Sequence, residues 1–78
     1  MQPFLGQIQL LPFNFAPVGW HLCDGTLLTI SQNVALFSLL GAQFGGDGMT
    51  TFALPKIPDL APNVRYYIAV EGIFPSRT

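Results

Sequence analysis

Charge is the scarcest resource in this chain. Of 78 residues only seven are charged: Asp24, Asp47, Lys56, Asp59, Arg65, Glu71 and Arg77. That is 9%, against about 25% in an average globular domain. Three basic residues and a net charge of -1 leave no footprint for a nucleic acid. They also leave no cationic amphipathic helix for a membrane surface. Cys23 has no second cysteine, which excludes an internal disulfide and any Cys-x-x-Cys metal pattern. The start, Met1 to Gly6, lacks the basic region of a signal peptide, so synthesis in the cytoplasm without a leader is expected. The uncharged run from Gly25 to Gly46 carries Ser, Gln, Asn and several glycines, which argues against a membrane span.

What is present is apolar. Half of the residues are hydrophobic, in a chain near the lower size limit for folding on one core. So small a body cannot hide that many apolar side chains internally. With no disulfide or metal pattern to help, association with copies of itself or with a larger assembly is the expected stabiliser.

Gln7-Ile8-Gln9-Leu10-Leu11 begins with polar/apolar alternation and predicts a strand ending at Pro12. Trp20–Cys23 predicts a second strand, with Asp24-Gly25 turning it through a type I′ hairpin into Thr26-Leu27-Leu28. A helix is expected over about 32–40, with Ser31 as N-cap and Gly41 as the left-handed residue behind it. Leu36, Leu40 and Phe44, with Phe37 beside them, predict a buried stripe. Nine or ten residues do not make a stable helix alone, so this one must dock on the strands. Gly45-Gly46-Asp47-Gly48 predicts a loop and Thr50–Leu54 a short strand. Pro55, Pro58 and Pro62 predict an extended stretch poor in ladder bonds. Val64–Val70 (VRYYIAV) carries the strongest strand signal and is expected to pair non-locally with the amino-terminal strands. The fold class expected is α+β: a small, mostly-β domain with hairpins and one short helix, closed by the carboxyl-terminal strand.

Several groups invite a chemical reading. His21 and Cys23 could form an imidazole-activated thiol, but no orienting group or oxyanion site accompanies them. A small buried Cys beside a partly exposed His is the plainer expectation. Trp20 could be a sugar platform; its alternation with Leu22 points instead to a core face. The Gly45–Gly48 loop lacks the Gly-Lys-Ser/Thr of a phosphate cradle and offers one carboxylate, too few for calcium. The pairs Asp24/Asp47 and Asp59/Glu71 have no spacing that would make them an acid–base couple. No catalytic, cofactor or metal site is expected. Phe4, Phe13, Phe15, Trp20, Tyr66 and Tyr67 are the candidate interface or ligand-contact residues, since rigid aromatics are enriched at interfaces.

Three motifs recur together: a strand ending in GW-x-x-CDG (from Gly19), an SQN-x-ALF-x-LLG helix (from Ser31) and a GGDG-x-TTFALP loop and strand (from Gly45). In combination they resemble the phage tail collar domain, found also in microcystin-dependent-protein-like tail-fibre proteins. The resemblance covers residues 5–55, and YYIAVEGIFPSR resembles the closing strand of longer members. It implies one domain over 1–78, with a collar segment 1–55, a Pro-rich bridge 56–63 and a closing strand 64–74. It further implies a non-enzymatic structural module of a virion tail or tail-like particle, associating with itself as a trimer and with other tail or fibre proteins. A small adhesin contacting a cell-surface glycan is the alternative. Longer members carry an insertion with His-x-His motifs that bind a metal on the threefold axis. Here Leu54–Asn63 runs straight into the last strand and His21 is the only histidine, so that role does not carry over.

Overall fold

The computed structural model describes residues 3–75. In chain order these form β1 (Ile8–Leu11), β2 (Trp20–Leu22), β3 (Leu27–Thr29), α1 (Val34–Leu40), β4 (Thr51–Ala53) and β5 (Arg65–Ala69). Two small sheets and one short helix make the expected mostly-β, α+β domain.

The carboxyl-terminal strand organises the fold. β5 lies between β1 and β2, antiparallel to both, with Ile68 opposite Ile8 on one side and His21 on the other. Its β-branched and aromatic residues suit a strand enclosed on both faces, and Tyr67, Ile68 and Ala69 are all buried. Ile68 joins Leu5, Cys23, Leu36, Phe52 and Leu54 in the core. Burying each large apolar side chain there contributes about 1.5–3 kcal/mol.

The expected hairpin at Asp24-Gly25 does not form. β2 pairs with β5, whereas β3 pairs with β4 in a separate sheet, so the two segments diverge. A type I′ turn needs positive φ at both central residues, and Asp24 does not adopt it; Gly25 does, at φ +83°. Asp24 Oδ1 instead accepts hydrogen bonds from the Thr26 backbone N–H (3.0 Å) and hydroxyl, a local turn that sends the chain away. The tight reversal lies elsewhere, in the Pro-rich stretch. Pro62 and Asn63 sit at the centre of a turn closed by Val64 N–H to the Ala61 carbonyl at 3.0 Å. Asn63 takes φ +61° there, as the third residue of a type II turn requires.

The helix starts at Val34, two residues later than expected. Ser31 lies in a turn, and Asn33 occupies the N-cap position without a side-chain capping bond. Asn33 Nδ2 reaches back to the Thr29 carbonyl at 2.9 Å, tying the helix start to β3. Gly41, at φ +62°, ends the helix, its N–H donating to the Phe37 carbonyl. The stripe therefore stops early. Leu36 is buried, Leu40 half-buried, and Phe44 exposed because the helical period does not survive Gly41. Phe37 packs on Phe52 with ring centroids 5.4 Å apart, which docks the helix on β4.

Candidate interaction surface

The sequence assigned Trp20 and Leu22 to the core face of their strand. The register separates the faces as alternation requires, but the main core lies on the other side. Cys23 and Ile68 point into it, while Trp20 and Leu22 remain half-buried on the face shared with Tyr67 and Ala69. Loop 12–19 makes the difference by crossing that second face. Tyr67 Oη donates to the Phe13 carbonyl at 2.7 Å. A loop with two prolines and no regular element gives no signal, in sequence, of which face it will cover.

The six aromatic candidates consequently have unequal positions. Phe4, Phe13 and Phe15 are exposed, and the Phe13 and Phe15 rings stack at 5.3 Å with 16° between planes. Trp20 is half-buried and lines an open cleft of about 200 Å³ with Pro3, Val18, Gly19, Glu71 and Gly72. Tyr66 is half-buried against the core. Tyr67 is buried, so it is a fixture of the interior and not a surface contact. Phe13 and Phe15 stack on each other and the Phe13 carbonyl is bonded to Tyr67; Trp20 shares the Tyr67 face of the sheet, and Tyr66 lies on the opposite, core face. Sequence reasoning missed Val18, Met49, Leu60 and Val34, all strongly exposed. Nothing local distinguishes an exposed aliphatic residue from a buried one in so apolar a chain.

Cys23 and His21 do not form an activated pair. The His21 ring Nδ1 lies 2.8 Å from the Leu22 carbonyl, and so takes the donor role there, with Asp24 at 4.0 Å. Burial, then the nearby Asp24 carboxylate, pushes the Cys23 thiol up to about 11. That is the reverse of what a nucleophilic thiol needs. Asp24 is itself held below the usual carboxylate range, chiefly by the Thr26 hydroxyl.

Asp47 organises the loop ahead of β4. One oxygen accepts from the backbone N–H groups of Met49, Thr50 and Thr51 at 2.8–2.9 Å, and the other from the Thr50 hydroxyl at 2.7 Å. These bonds, the Thr51 amide first, hold its carboxyl far below the ordinary range. The loop is a folded turn built around one carboxylate. Among the described residues no group of three or more His, Cys, Asp or Glu side chains could hold a metal ion. No helix there is long and apolar enough to cross a membrane.

The sheet has two unlike edges. On the β2 edge the Trp20 N–H donates to the Pro17 carbonyl and the Leu22 carbonyl accepts from Asp24 N–H, so local turns occupy it. On the β1 edge no such covering bond exists among the described residues.

Residues 6–62 match the phage tail collar domain, 57 of the 78 residues, and the chain belongs to that family. The family is a structural one of phage tails, and membership of it implies a tail location. No curated protein and no solved structure matches the chain.

Proposed function

We propose that the protein is a non-enzymatic, self-associating module of a phage-tail or tail-fibre-like assembly. One observation supports this most. Thirteen large hydrophobic side chains are exposed among the described residues, against nine buried hydrophobic ones. A monomer would present more large apolar side chains to water than it buries, and copies or neighbouring tail proteins are the natural cover. Phe4, Phe13 and Phe15 belong to the covered set, with Trp20 and Tyr66 contributing where their rings reach the surface. Three copies is the number that the collar resemblance implies.

Sedimentation velocity at micromolar concentration tests this reading, with and without chelator. A stable oligomer indifferent to chelator is expected; a stable monomer overturns it. The cleft beside Trp20, with the Glu71 carboxylate on its wall, favours glycan contact as a second reading. Binding on a glycan array that Trp20→Ala abolishes would support that alternative.

A further inference from the structure

We infer that β1 is a docking edge for β1 of a second copy, in one antiparallel register. Hydrogen bonding along β5 strictly alternates. Its even-numbered residues serve β2, as Cys23 N–H to the Tyr66 carbonyl and Val70 N–H to the Gly19 carbonyl show. Its odd-numbered residues serve β1, as Ala69 N–H to the Gln7 carbonyl shows. Gln9 and Leu11, opposite Tyr67 and Arg65, therefore bond inward. Ile8 and Leu10, opposite Ile68 and Tyr66, turn their N–H and C=O groups outward. None of these four groups has a backbone partner among the described residues outside the sheet.

Exposed edges are usually blunted by lysine, proline or a bulge. Ile8-Gln9-Leu10-Leu11 has no charge or proline within it, and no charge occurs before Asp24. A second copy can therefore approach without burying an unpaired charge. Two β1 strands, run antiparallel about a twofold axis at Gln9, place Ile8 opposite the partner's Leu10 and Leu10 opposite the partner's Ile8. Each such pair exchanges two bonds, so all four outward groups of each copy are satisfied. Ile8 and Leu10 share the core face of the sheet and are both exposed, so their side chains extend that core across the junction. A standard interface takes about 800 Å² from each partner, roughly 15% of this chain's 5204 Å². Exposed Phe4 lies four residues before the strand and exposed Phe13 two residues after it. The contact closes on two copies, and is distinct from the threefold contact that the collar resemblance implies.

The inference rests on self-association but can fail by itself. Gln9 is exposed, and in this register it faces its own counterpart directly. Sedimentation equilibrium at low salt should show Gln9→Lys and Gln9→Glu each weakening the twofold contact by about three- to fivefold, since like charges directly opposite repel. An equimolar mixture of the two should associate about tenfold more tightly than either alone. Leu10→Pro removes an outward N–H while leaving every β1–β5 bond in place, and should weaken association about tenfold or more. Circular dichroism melts establish that each variant is folded; if the proline variant is not, the Gln9 pair decides. An oligomer indifferent to both Gln9 charges, or a mixture no tighter than its components, overturns β1 docking and leaves self-association standing. A wild-type chain that stays monomeric at micromolar concentration overturns both.

Discussion

The hydroxyl of Tyr67 donates a 2.7 Å hydrogen bond to the carbonyl oxygen of Phe13, 54 positions earlier in the chain. It fastens loop 12–19 across the central strand and holds the exposed, stacked Phe13–Phe15 pair over it. A side chain marked by sequence as a contact residue thus acts from beneath, by positioning the aromatics that do reach the surface.

Tyr67→Phe keeps the ring and removes the bond, leaving the Phe13 carbonyl without that donor. A loss of about 1–2 kcal/mol is expected in urea unfolding, the usual size for one hydrogen bond and its abandoned partner. Hydrogen exchange in residues 13–19 should accelerate more than exchange in β5. Uniform acceleration would mean that the bond does not pin the loop.

Asp47 should make stability acid-sensitive. Its folded carboxyl titrates well below the unfolded value, so its contribution is present above about pH 4. That contribution is lost as pH falls below the unfolded value toward the folded one. Asp47→Ala should be less stable than wild type at pH 6, with the gap narrowing toward pH 2. A gap constant over that interval would show that the carboxylate charge is not what the four donors hold.

Cys23 carries the opposite sign at the alkaline end. Its folded thiol is raised to about 11 from an ordinary 9, so its contribution is complete below about pH 9. Stability should then decline as pH rises from 9 to 11, because only the unfolded chain exposes the thiolate. Cys23→Ala, measured by denaturant unfolding over the same range, should decline less steeply. Labelling of wild-type Cys23 at neutral pH should be slow until denaturant is added.

Gly46 is held by contact as well as by conformation. It adopts φ +86°, and a Cβ there would lie 2.5 Å from Phe52 Cα and 2.6 Å from the Thr51 carbonyl oxygen. Those neighbours are backbone of β4 and cannot rotate away. Gly46→Ala should cost about 2 kcal/mol or more, adding steric displacement to the left-handed strain. Gly41→Ala, with open space around its Cβ, should cost less and serves as the control. Equal losses at the two positions would refute the steric part.

Much of the secondary structure was legible because it depends on local chemistry. Alternation marked β1, β-branched and aromatic residues marked β5, and Gly41 stopped the helix where glycine readily accepts left-handed angles. The low charge and high apolar content, with the three collar motifs, pointed to an assembling tail module. Which strands pair, and which faces close, was not legible. Asp24-Gly25 reads as a hairpin, yet β2 and β3 each find a stronger partner far along the chain, in β5 and β4. Trp20 reads as core, yet the main core forms on the Cys23 side of the same strand. Alternation separates two faces but does not say which one a distant helix will cover. Tertiary structure decided that, since burying Cys23, Ile68, Leu36 and Phe52 together is a non-local gain that no single stretch records. The same non-local pairing encloses β5 and leaves the outward backbone groups of β1 open to a partner.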